Sequence, residues 1–220
     1  MENLRLLNKT VKFIFKNPSF LLPLTAYYFL LSFIIFSLEP YFSILIFIFI
    51  SVTFLPFFIY SLISYLEKKE YTFSIPRKIF KDFLIATILK LSLFILFFFF
   101  IAIPIFSFYL KIFNFHYFFI FSIFPLYFLI KLFPLEIIVS TKKLNLLDSI
   151  KYSFKITKNN EIKIFICFLI FALISLGFLI VFYSILKIFK IEYISFIVDS
   201  FIQSFFFSSL LVFSYFLVKK

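Results

Sequence analysis

Six ionisable or polar side chains sit where chemistry would be expected to show itself, within or beside apolar runs. Asp199 has Ser195 and Gln203 four residues to either side, so the three share one face of a helix. A carboxylate, an amide and a hydroxyl in that row would suit a proton- or cation-linked polar site. The same row would equally suit an interior hydrogen-bonding cluster that fixes helix packing. Lys90 and Lys131 lie inside two other apolar runs, and Glu136 follows Pro134 closely. A charge at the centre of a bilayer costs roughly 2.5–3.5 kcal/mol on insertion scales, so such residues are kept for a reason. Lysines at this depth ordinarily snorkel, stretching their ammonium to the interface. A Lys90–Glu136 or Lys131–Glu136 pair is the alternative. Ser200, Ser204 and Ser208 form a neighbouring row of small residues, suited to close contact with another helix.

Other chemistry is missing from the chain. There is one histidine, His116, and one cysteine, Cys167, so neither a metal-ligand spacing nor a disulfide framework can be built. No glycine-rich phosphate loop or Ser–His–Asp arrangement occurs. The expectation is a non-enzymatic protein without cofactor or metal.

The elements that carry these residues are apolar. The chain is 64% hydrophobic, with a mean hydropathy of +1.16. A soluble domain is nearer 45–50% apolar, so lipid must cover the excess. Six runs are long enough to cross a hydrocarbon core of about 30 Å: 17–38, 40–66, 83–110, 112–130, 164–186 and 193–218. The fourth is expected to continue past Lys131. Each must be helical to satisfy its own backbone in lipid, with Pro56, Pro104 and Pro125 expected to kink or break their helices.

The net charge of +12 is distributed as topology signals rather than as a nucleic-acid surface. Arg5, Lys9, Lys12 and Lys16 precede the first run. Lys68, Lys69, Arg77, Lys78 and Lys81 lie between the second and third. The fourth and fifth are separated by a segment holding Lys142, Lys143, Lys151, Lys155, Lys158 and Lys163, and Lys219 and Lys220 follow the sixth. The opposite side has only Lys111, Lys187 and Lys190. The positive-inside rule then places both termini in the cytoplasm, in a multi-pass protein of the cell membrane. The first apolar run is too long for a cleaved signal peptide, and no small-residue cleavage site follows it.

The basic segments themselves carry a pattern. Arg5, Lys9, Lys12 and Lys16 recur at helical spacing, with Leu4, Leu7, Val11 and Ile14 opposite. Leu147, Ile150 and Phe154 oppose Asp148, Tyr152 and Lys155 in the same way, and Asn145 with Asp148 reads as a helix N-cap. Leu4–Asn8 aligns with Leu144–Asp148, and Pro76–Asp82 is a weaker third copy. The expected fold is an all-α membrane protein, one domain of six transmembrane helices arranged as three tandem hairpins (about 1–66, 67–133 and 134–220). Basic amphipathic helices would lie on the cytoplasmic side, their lysines, Lys151 and Lys155 included, against anionic headgroups; a plain cytosolic helix packed on the bundle is the other reading.

One stretch carries a resemblance. Pro134-Leu135-Glu136-Ile137-Ile138-Val139, then Leu147-Asp148-Ser149-Ile150-Lys151-Tyr152-Ser153-Phe154, then Thr157-Lys158-Asn159-Asn160 resembles a group of six-helix membrane proteins. The group includes the membrane domain fused to some glycerophosphoryl diester phosphodiesterases. In it a proline near the end of helix four leads to an amphipathic helix with a serine before an aromatic, then a basic turn into helix five. Ser153, Phe154 and Lys158 fit those places. Asn159-Asn160 stands where the group has glycine, and Glu161-Ile162 where it has an aromatic. No stretch of the 220 residues reads as a soluble phosphodiesterase domain. The resemblance implies the six-helix architecture and no defined reaction.

The functional expectation is therefore contact with membrane lipid or with a protein partner, another membrane protein or a second copy of this chain. The alternative is a small-solute or lipid permease with a polar path around Asp199. Nucleic acid is not an expected partner.

Overall fold

A computed structural model describes residues 2–37, 40–110, 116–189 and 195–219. Among them there are helices and no strand. The helices are α1 (Glu2–Lys16), α2 (Leu22–Ser37), α3 (Pro40–Lys68), α4 (Arg77–Leu110), α5 (His116–Lys131), α6 (Leu135–Lys142), α7 (Leu146–Thr157), α8 (Glu161–Phe189) and α9 (Ser195–Val218). A 3-10 turn, Pro18–Leu21, joins α1 to α2.

Four of these stretches are long and apolar enough to cross a membrane: Ile48–Lys68, Phe121–Lys142, Glu161–Ile185 and Ile197–Val218. The pair Arg5–Lys16 and Pro18–Ile34 passes the same test together but is bent by 95°. The expected third run lies in α4, an unbroken helix of 34 residues. Lys111 and Lys190, expected on the outer side, lie outside the described residues.

Pro56 and Pro125 do not break their helices: α3 and α5 continue through them. A proline removes one backbone donor, and neighbouring groups can make good that loss. The fourth run breaks instead at 132–134, just before α6, with Pro134 in the N-cap position.

The three basic segments also differ. Helices α1 and α7 are separate elements, each set off from the next helix by a turn. The third copy is simply the first turns of α4, because nothing after Pro76 interrupts the helix.

Contacts divide the chain into two compact units, which do not follow the hairpin boundaries. Unit one is Met1–Arg77 with Phe165–Lys220, and unit two is Lys78–Ile164. In unit one α2 packs between α9 and α3. Ser200, Ser204 and Ser208 are fully buried, as the small-residue row predicts, and Ser204 donates to the Leu21 carbonyl at 2.9 Å. Tyr28 stacks on Phe207, and Tyr27 donates to Ser51 at 3.0 Å.

In unit two α7 packs on α5 and α6. Its N-cap forms as its sequence suggests: the Asn145 side chain accepts from the Asp148 backbone N–H at 2.8 Å. Its buried face is not the apolar one. Ser149, Ser153 and Thr157 are completely covered, whereas Leu147 is 70% exposed. Hydroxyl residues one turn apart let the helix approach closely, and Thr157 bonds its own helix through the Ser153 carbonyl at 2.9 Å. The turn into α8 is made by Asn159 at φ 65°, the left-handed region that glycine occupies most easily. Asparagine is one of the few other residues tolerated there. Asn159→Gly should keep the stability of the purified protein or raise it slightly in thermal unfolding. Asn159→Val should lower it by about 1–2 kcal/mol.

Candidate functional site: charged groups at a broken span

The break at 132–134 gathers charged residues of unit two. Lys90, from α4, places Nζ 2.5 Å from Glu136 Oε2. It also donates to the Phe133 carbonyl at 3.1 Å, with the Phe133 ring centroid 5.7 Å away. The Glu136 side chain is only 3% exposed and that of Lys90 is 23% exposed. One turn before the break, Lys131 pairs with Glu161 from the first turn of α8. Its ammonium also lies over the rings of Tyr127 and Phe154, at 5.5 and 5.7 Å. Ser153 donates to the Lys131 carbonyl at 2.5 Å.

Of the two pairings that could be read from sequence, Lys90–Glu136 forms. Lys131 does not join Glu136. Its side chain is 6% exposed, because the Glu161 carboxylate and two aromatic faces meet its charge locally. Glu161 and Ser153 carry this arrangement unforeseen. The available signal was the acidic residue directly after the turn, which a helix N-terminus also favours electrostatically.

The Asp199 row is arranged differently. Asp199 accepts from the Tyr183 hydroxyl at 2.8 Å, tying α9 to α8 within unit one. Ser195 and Asp199 are half-buried and Gln203 is exposed, so the row lies on the outer side of α9 while the serine row faces α2.

The basic segments form a third feature. At the elbow after α1, the Asn17 side-chain amide donates to the Phe13 carbonyl at 2.8 Å, closing the helix. The segment 69–76 runs back along α3: Tyr71 stacks on Tyr65 at 4.6 Å, Thr72 meets Ser64, and Phe73 reaches Phe58 at 5.5 Å. Tyr71 then donates to the Ser19 carbonyl at 2.9 Å, inside the elbow. Desolvation raises the Tyr71 phenol above the ordinary tyrosine value, so it remains a protonated donor at neutral pH. Phe13 sets its edge against Phe20, Lys69 lies over Phe13 and Tyr65, and Lys9 lies over Phe216 of α9 at 4.3 Å. Thr10 and Ile14 are buried while Arg5, Lys12, Phe15 and Lys16 are exposed. Helix α1 thus packs on the bundle through one face and leaves a basic face beside an apolar edge free. On α7, Lys151 and Lys155 are exposed.

Among the described residues no group of three or more His, Cys, Asp or Glu is placed to hold a metal ion. Comparison with protein-family models, curated proteins and solved structures returns no match. What this protein can do has to follow from its own geometry.

Proposed function

We propose that this chain is a six-span protein of the cell membrane, three helical hairpins with both termini cytoplasmic, that works through contacts with anionic lipid rather than by catalysis. Its architecture is that of the six-helix group its 134–160 stretch resembles. Helices α1 and α7 are its interfacial elements, and Arg5, Lys9, Lys12, Lys16, Lys151 and Lys155 are the lipid-facing charges. The observation that carries this reading is the elbow. A helix turned by 95° from the apolar helix after it lies flat on the membrane surface when that second helix crosses the bilayer. Tyr65, Tyr71 and Asn17 hold the angle, so the basic face is presented without a folding step on each lipid encounter, which lowers the ordering penalty of binding.

The permease reading has weaker support. It needs Asp199, Ser195 and Gln203 along an aqueous path, whereas Asp199 is engaged by Tyr183 and Gln203 points outward.

Each basic residue near an anionic surface contributes about 1 kcal/mol. Replacing Arg5, Lys12 and Lys16 together by glutamine should therefore strongly weaken the enrichment of phosphatidylglycerol over phosphatidylcholine around the reconstituted protein. Lipid-selective fluorescence quenching or native mass spectrometry measures that enrichment. The wild-type preference should fall as salt is raised, through screening. A wild-type protein with no preference for the anionic lipid would overturn the proposal.

A further inference from the structure

A break in a membrane helix leaves backbone carbonyls without their helical donors, and something must replace them. Here the replacements are specific. The Leu135 N–H donates to the Leu132 carbonyl at 3.0 Å, not to Lys131, so the Lys131 carbonyl takes the Ser153 hydroxyl. The Phe133 carbonyl, inside the break, takes the Lys90 ammonium. That ammonium is also held by the nearly inaccessible Glu136 carboxylate and faces the Phe133 ring.

A carbonyl oxygen from unwound backbone, one carboxylate and an aromatic face are the groups with which membrane proteins hold monovalent cations. We propose that the break is a monovalent-cation site whose occupant is the chain's own Lys90 ammonium, delivered on a tether from α4. A small primary alkylammonium should take its place when that head group is removed. The class of ligand follows from the donors. A single carboxylate balances a single positive charge. Two oxygens are too few for Ca²⁺ or Mg²⁺, which gather six or more. An NH₃⁺ group has three N–H donors, of which two match the Glu136 and Phe133 oxygens and the third faces the ring side. A quaternary ammonium has no N–H to give. An ordinary salt bridge would need only charge at Lys90; a cation site must also discriminate between cations.

The test is rescue of the purified Lys90→Ala variant. Its thermal unfolding is followed against ethylammonium, with sodium and tetramethylammonium chloride at the same ionic strength. The variant should unfold at lower temperature than wild type. Ethylammonium should recover about half of that loss or more, saturably, as a ligand bound only to the folded state does. Tetramethylammonium should not. Neither wild type nor Lys90→Ala/Glu136→Gln should show the selective response. If Lys90→Ala fails to fold in ordinary buffer, it should give folded protein when purified in ethylammonium and not in tetramethylammonium. A folded Lys90→Ala without selective, saturable stabilisation would overturn the proposal. So would the same response in the double variant, or failure of ethylammonium to yield folded Lys90→Ala when the double variant folds.

Discussion

Glu161→Ala should destabilise unit two by about 3 kcal/mol, and Lys131→Met should do markedly less harm. The asymmetry follows from where each charge is left. The Lys131 side chain is 6% exposed, so without Glu161 its ammonium stays buried with only the Tyr127 and Phe154 faces against it. Removing one member of a buried pair costs roughly 3–5 kcal/mol, and aromatic faces offset about 1–2 kcal/mol of that. The Glu161 side chain is 31% exposed and can be hydrated when it loses its partner. The double variant Lys131→Met/Glu161→Gln should be close to wild type, since a neutral, well-packed pair often replaces a buried ion pair without loss. Equilibrium unfolding of the four proteins in detergent or bicelles reads all three quantities. A snorkelling Lys131 would give Glu161→Ala no penalty, so a wild-type midpoint for that variant would show the pairing to be unimportant.

Ser204→Leu should separate α2 from α9 and lower stability by about 3 kcal/mol, at the upper end of the usual overpacking range. Ser204 is completely buried and bonds the Leu21 carbonyl beside the elbow. Three more carbons at that point cannot be accommodated without moving α2, and the carbonyl loses the Ser204 hydroxyl while keeping that of Thr25. Ser208→Ala is the control. Its hydroxyl is buried without a hydrogen-bond partner among the described residues, so replacing it should be neutral or slightly stabilising. Unfolding midpoints of the two variants should therefore differ in sign or nearly so. Equal, small effects would mean that the serine row does not set the distance between these helices.

Much of this fold can be read before any coordinates are seen, because the bilayer restricts the choice so severely. A run such as Ile164–Leu186 must be helical, whatever the modest helix preference of phenylalanine and isoleucine in water. The Asn145 cap was also legible, since a cap is decided by residues three apart in the chain. The burial of Ser200, Ser204 and Ser208 was legible for a similar reason: only small side chains recurring each turn permit close helix contact. The covered face of α7 was not. Its apolar residues suggested one side, but α5 and α6 offer a surface that Ser149, Ser153 and Thr157 can approach more closely, and Leu147 is left outside.

The charges set among apolar residues mark the division most clearly. Composition and spacing alone determined that the chain is helical and membrane-embedded in character, that Lys90, Lys131, Glu136 and Asp199 are costly where they stand, and that α1 is basic along one face. Those are consequences of local pattern and of the dielectric of the surroundings. Tertiary structure decided the partners: Glu136 for Lys90, Glu161 for Lys131 and Tyr183 for Asp199. It also decided that the span breaks at 132–134 rather than at Pro125, and that the elbow after α1 is held by tyrosines from a segment some 50 residues away. Pairing energies depend on distance in space and on mutual exclusion of solvent. Residues 46 apart in the chain, such as Lys90 and Glu136, have no sequence signature for that distance until the helices between them are packed.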